Sequence, residues 1–190
     1  MRLLFLASLT AAAAILPPAL SVPPEIDRLD QCIQNRFLDA RAFGMRRILP
    51  MQYHGIRLFQ PENEAERAVV GSLRAGGYEV ALYLVGRQAL QAAGPSVDPR
   101  RAVAQGPALI TALPEGTLPG ARALLDAGRR ALIAFEKGDG YTLHENGWTI
   151  ALRPLRASGE SCVRCHAAAG SDVKIGDPLG AALYVYRRIE

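Results

Sequence analysis

The sequence predicts an α+β domain in which a long leading helix and further helices pack on a partly antiparallel sheet of about five or six strands. Three stretches carry that prediction. Apolar residues recur at three- and four-residue steps from Pro24 to Ile48, a nearly continuous apolar run rich in β-formers fills Tyr78 to Val85, and Asn146-Gly147 separates two stretches of strand character. Neither repeats nor low-complexity tracts interrupt the chain, so one domain is expected over residues 22–190.

Ile26, Leu29, Ile33, Phe37, Ala40 and Ile48 form the apolar stripe of the first helix, and Pro50 marks its stop. Tyr53 to Phe59 reads as a short strand. Pro61 to Ala75 reads as a helix with Pro61 at its start, Glu62, Glu64 and Glu66 in its early turns and Gly76-Gly77 as its stop. Tyr78 to Val85 is a buried strand, Gly94 to Gly106 a loop rich in Gly, Pro and charge, and Pro107 to Leu113 a strand centred on Ala108-Leu109-Ile110. Helical period returns from Pro119 to Lys137 through Ala121, Leu124, Leu125, Gly128, Leu132 and Phe135, with Gly138 and Gly140 ending it. Tyr141–His144 and Trp148–Leu152 make the hairpin, Asp177-Pro178 a turn, and Leu179–Ile189 a closing strand.

Between the last two strands stands Cys162-Val163-Arg164-Cys165-His166. Two cysteines three apart with histidine next to the second are the attachment signature of c-type haem. On one turn of helix both thiols reach the vinyl groups of a single porphyrin, and the adjacent imidazole becomes the proximal iron ligand. A thioredoxin-type redox pair has no use for the histidine, and a structural zinc site lacks a second cluster to complete it. Arg153, Arg156 or Arg164 would suit haem propionates, because guanidinium matches carboxylate bidentately.

The N-terminus fits the same chemistry. Arg2 gives a positive start, Leu3 to Leu16 an apolar run of signal-peptide length, and Ala19-Leu20-Ser21 a small-x-small cleavage site, so residues 1–21 are expected to be removed and the protein to be periplasmic. An uncleaved anchor is the alternative. Asp30 and Gln31 before Cys32 argue against lipoprotein processing. The net charge of +4 is a mild excess without a basic run or aromatic-basic interleaving, which argues against nucleic-acid binding. The paired arginines Arg46-Arg47, Arg100-Arg101, Arg129-Arg130 and Arg187-Arg188 read as solvated surface.

Arg153-Pro154-Leu155-Arg156, the motif from Ser161 to His166, Lys174 to Gly180 and a Tyr-rich last strand together resemble a poorly characterised family of exported monohaem proteins. The resemblance is specific over residues 148–187 and architectural before them. It implies a long N-terminal helix on a PAS-like domain, found free in the periplasm or as a sensor module of signalling proteins. A reaction is not implied.

The second axial position on haem iron decides function more than the first. Cys32 is left over after thioether formation, lies at the edge of the buried face of the first helix, and corresponds to a cysteine that relatives in the resembled family tend to carry there, so it is the first choice. Its alternatives are a semi-buried apolar role or a disulfide to a second copy. His54 is the fallback, followed by Met45, Met51, His144 and an open site. Two functions follow: a periplasmic electron carrier exchanging with a redox partner, or a haem-based redox or gas sensor acting through a signalling partner. No Ser-His-acid set or phosphate-cradling loop is legible, and His144 with Glu145 has no spacing that favours a peroxidase role, so no enzyme is expected.

Overall fold

The computed structural model describes residues 21–38, 57–91, 107–113, 117–138, 140–168 and 170–189. Its elements in order are α1 (Pro24–Leu38), β1 (Arg57–Leu58), α2 (Glu64–Ala75), β2 (Tyr78–Gly86), α3 (Arg87–Gln91), β3 (Ala108–Leu109), α4 (Ala121–Glu136), β4 (Tyr141–Glu145), β5 (Trp148–Arg156), α5 (Glu160–Ala168) and β6 (Pro178–Arg188). They form an α+β fold around one six-stranded sheet of order β1-β3-β2-β6-β5-β4. Every neighbouring pair from β3 to β4 is antiparallel; β1 alone adds to β3 in parallel.

The period-2 pattern of the central strands explains the layers. On β2, Val80, Leu82 and Leu84 face one cluster while Ala81, Tyr83 and Val85 face the other, as alternation along a strand requires. The first cluster is closed by α1 through Ile26, Leu29, Ile33 and Phe37 and by α2 through Val69, Val70 and Leu73. The second is closed by Leu90 of α3 and by Leu124, Leu125, Ala131 and Phe135 of α4. The sheet is therefore covered on both faces.

The hairpin between β4 and β5 has the expected turn. Asn146 at φ 51° and Gly147 at φ 77° both occupy the left-handed region that a two-residue primed turn demands. Helix α1 carries the expected stripe as far as Leu38; its continuation to Ile48, the strand expected from Tyr53 apart from its end, and the loop Gly94–Gly106 fall wholly or mainly outside the described residues. So do His54, Met45, Met51 and all of the expected signal segment except Ser21. No helix among the described residues is long and apolar enough to cross a membrane.

Four details differ from the expectations. Helix α2 starts after Asn63, whose side-chain oxygen accepts the Glu66 N–H at 2.9 Å, and not at Pro61: an asparagine cap satisfies an orphan donor that proline cannot. The strand expected over Pro107–Leu113 shrinks to Ala108–Leu109, because Val80 C=O already binds the N–H groups of Ile110 and Thr111 at the end of the ladder. The short helix α3 was not expected. Finally, β5 continues through Pro154 to Arg156. By alternation the missing N–H of Pro154 faces the side where β4 has already ended, so no ladder bond is lost there.

Candidate functional site

The Cys-x-x-Cys-His stretch lies on α5, and the geometry around it begins at the strands. β5 and β6 remain paired up to Arg156 opposite Pro178, and the chain between them leaves the sheet as a closed excursion. Its base is pinned by Ala157 N–H to Asp177 C=O at 2.9 Å and Gly176 N–H to Ala157 C=O at 2.8 Å. Within it, Gly159 C=O accepts the Cys162 N–H at 3.0 Å and opens the helix, and Glu160 places a negative charge in the first turn, where the dipole favours it.

The C-terminal end of α5 is a Schellman cap. Gly170, at φ 78°, donates to Ala167 C=O, and Ser171 N–H donates to His166 C=O, both at 2.9 Å. The left-handed position requires glycine, so Gly170 fixes the backbone of His166 itself. Cys162, Cys165 and His166 then share one helical face at i, i+3 and i+4. Cys162 is 6% exposed and belongs to the α1/α2-side cluster with Leu155, Ala157 and Val173, its Sγ lying 3.9 Å from Ser158 Oγ. Cys165 is exposed and His166 half-buried. The motif thus runs from the core to the surface along one turn.

Arg156 occupies a defined place beside it. Its Nη1 donates to Gly176 C=O at 2.8 Å and its Nη2 to Phe135 C=O at 2.7 Å, which ties the exit turn of the excursion to the last turn of α4. Arg87, at the start of α3, reaches Asp177 at 3.7 Å and Pro178 C=O at 3.4 Å, and Asp177 also accepts the Lys174 N–H at 3.0 Å. Arg153 points elsewhere and pairs with Asp27 of α1 at 2.9 Å. Arg164 is exposed on α5.

Cys32 is half-buried on α1 and packs against the same cluster that holds Cys162. Burial, and then the negative charge of Glu66, raise its thiol pKa above the ordinary value. Around it lies a set of polar contacts that sequence reasoning missed. Tyr184, fully buried in β6, donates to Asp30 Oδ1 at 2.8 Å, and Gln34 spans from Asp30 at 3.3 Å to Pro154 C=O at 3.2 Å. Burial raises Asp30 despite those donors, and it carries Tyr184 well above the usual phenol range.

One helical turn beyond Cys32, Arg36 clamps Glu66 of α2 through two nitrogens, with Nε at 2.6 Å from Oε1, and stacks 4.5 Å from the Phe59 ring centroid. Burial alone would push the Glu66 carboxyl up, but the Arg36 guanidinium and the Glu62 N–H outweigh it and leave its pKa lowered. The spacing Asp30–Gln34 is a legible i, i+4 pair. The partners on β6 and α2 leave no local trace in the sequence.

The structure brings Cys162, Cys165 and His166 together and sets Cys32 against the same core. His144 is not brought to them: it is exposed on β4 with Nδ1 3.1 Å from Thr149 Oγ1, at the opposite end of β5 from α5, and Glu145 pairs with Trp148 there. No group of three or more His, Cys, Asp or Glu suited to a metal ion forms among the described residues. Two thiols and an imidazole lie along one turn of α5. No protein-family model, curated protein or solved structure matches the chain.

Proposed function

We propose that the protein is an exported, periplasmic monohaem c-type cytochrome that carries electrons to or from a redox partner. The observation that carries this reading is the placement of Cys162, Cys165 and His166 on one face of a helix closed at its C-terminal end by the Gly170 cap, with Cys165 at the surface and Cys162 at the core boundary. Cys162 and Cys165 would hold the haem by thioethers and His166 would ligate its iron. When bound, the group supplies a one-electron couple. The chain's part is to fix the imidazole through the His166 backbone, to anchor Cys162 against Leu155, Ala157 and Val173 of the core, and to keep the exit turn in place through Arg156. A guanidinium so committed to two carbonyls acts on the turn first; pairing with a propionate through its remaining N–H donors is the second use proposed for it.

Expression in a host competent in cytochrome c maturation tests the proposal directly. A haem absorbance that stays with the chain in denaturant, with the matching mass increase, is expected; colourless protein of bare polypeptide mass would overturn it. Cys32 is the proposed sixth ligand, supported by its packing on the shared cluster, with His54 as the fallback. The ferric EPR spectrum of the Cys32→Ala holoprotein should lose the low-spin signature of the parent. An unchanged spectrum moves the assignment to His54.

The strand order favours a second reading. Counted without the two-residue β1, the sheet runs 2-1-5-4-3 with its first and last strands adjacent at the centre, which supports a PAS-like domain and with it a haem-based sensor acting through a partner. Perturbation of the Soret band of reduced protein by CO or NO is expected under that reading and not under fixed six-coordinate electron carriage.

A further inference from the structure

The geometry points to a homodimer formed by β4 pairing with β4 of a second copy across a two-fold axis at Leu143. Among the described residues β4 is the last strand of the sheet, with no strand beyond it. The two-residue turn makes Glu145 and Trp148 a hydrogen-bonded pair, so alternation directs the N–H and C=O groups of Leu143 and Tyr141 to β5 and those of Thr142 and His144 outward. An edge of this kind is a template for another strand, and proteins that keep such edges single place lysine, proline or a bulge on them. Tyr141-Thr142-Leu143-His144-Glu145 has no lysine, proline or bulge, its one acidic side chain, Glu145, stands at the turn end, and its register with β5 is unbroken. The opposite edge, β1, is only two residues long.

The occupant is argued from symmetry and charge. An antiparallel pair centred on Leu143 sets Thr142 opposite His144 of the second copy and His144 opposite its Thr142, so the outward groups of one strand meet those of the other in register. Beside this edge, α4 and β4 enclose an open cavity of about 670 Å³ lined by Asp126, Arg129, Arg130, His144 and Glu145. Leu143 also lines the cavity, level with Asp126–Arg130, so the same two-fold axis runs α4 antiparallel to its symmetry mate and sets Asp126 of each copy, which already pairs with Arg129 of its own helix at 3.3 Å, toward Arg130 of the other. A groove with both signs of charge on one helix flank is complementary to itself under that operation, and to a uniformly charged partner it is not.

Sedimentation velocity and light scattering on the holoprotein at rising concentration test this. The expected result is a concentration-dependent dimer that Thr142→Pro converts to monomer, the molar mass falling by half while far-UV circular dichroism and the Soret band stay as in the parent. Proline at Thr142 removes only an outward N–H, so the β4–β5 ladder is kept. Asp126→Arg and Arg130→Asp should each weaken the dimer and the double exchange should restore it. This second test decides the matter if the proline variant misfolds. A monomer at every concentration overturns the proposal, as does a dimer that survives Thr142→Pro, is indifferent to both charge reversals, or dissolves on reduction as a Cys32 disulfide would.

Discussion

The two faces of the sheet are built from different materials. The side covered by α3 and α4 is mainly apolar: Leu124, Leu125, Phe135, Trp148, Ile150, Leu152 and Leu183 fill it, and its one buried charge, Glu79 near the start of β2, is met by Arg187, which also lies 4.3 Å from the Trp148 ring centroid. The side covered by α1 and α2 has the same hydrocarbon base but adds Asp30 against Tyr184, Arg36 against Glu66, Cys32 and Cys162. Buried charges and hydroxyls are weak sources of stability and demand specific partners. A fold that gathers most of them on one face, with the Glu79–Arg187 pair as the counterpart on the other, leaves the α3/α4 face to hold itself together chiefly by hydrocarbon contact.

The sharpest way to break the comparison is to remove the chemistry from the motif helix. Replacing Cys162 and Cys165 together by Ser should abolish covalent haem, read as bare polypeptide mass and loss of colour after denaturation, while the α3/α4 face keeps the chain folded by circular dichroism. On that apolar face, Phe135→Ala empties a fully buried site and should cost about 4 kcal/mol in denaturant unfolding, leaving the folded protein's Soret maximum in place.

Across the sheet, Arg36→Ala leaves Glu66 buried without its cation and should cost about 3 kcal/mol near neutral pH. The sign with pH follows from the lowered Glu66 pKa. Its contribution is complete above the ordinary carboxylate value and is lost as pH falls through the lowered folded value, so parent and variant should converge in stability as the solution is made acidic. Removing the carboxylate as well, in Arg36→Met with Glu66→Leu, should recover most of the loss. The smallest effect belongs to Tyr184→Phe, which takes one donor from Asp30 and should cost about 1 kcal/mol, measured by the shift in denaturant midpoint.

The elements that were legible in sequence are those in which local pattern and tertiary role coincide. The stripe of α1 over its described length, the continuous run of β2, the period of α4 and the Asn146-Gly147 turn each needed only neighbours in sequence to be read. Those that were not legible depend on distant partners or are too short to show a period. Helix α3 has five residues, β1 and β3 two each, and the start of α2 was set by the Asn63 side chain over the stronger-looking Pro61. In the candidate site the three motif residues were readable from spacing alone. Arg156 was singled out for its charge, yet the contacts it makes, to Gly176 and Phe135, join parts of the chain that only the folded sheet brings together. Asp30 and Tyr184, 154 positions apart, meet for the same reason.

The pairing of Arg156 with Pro178 has a consequence for how this molecule can change. A segment whose two ends are already held by neighbouring strands behaves as an interchangeable cartridge: doubling its length adds only ~0.6 kcal/mol of closure entropy. Insertions after Ala168 would meet the same socket, whereas a substitute peptide presenting other ligands would have to refill the core positions of Ala157, Cys162 and Val173.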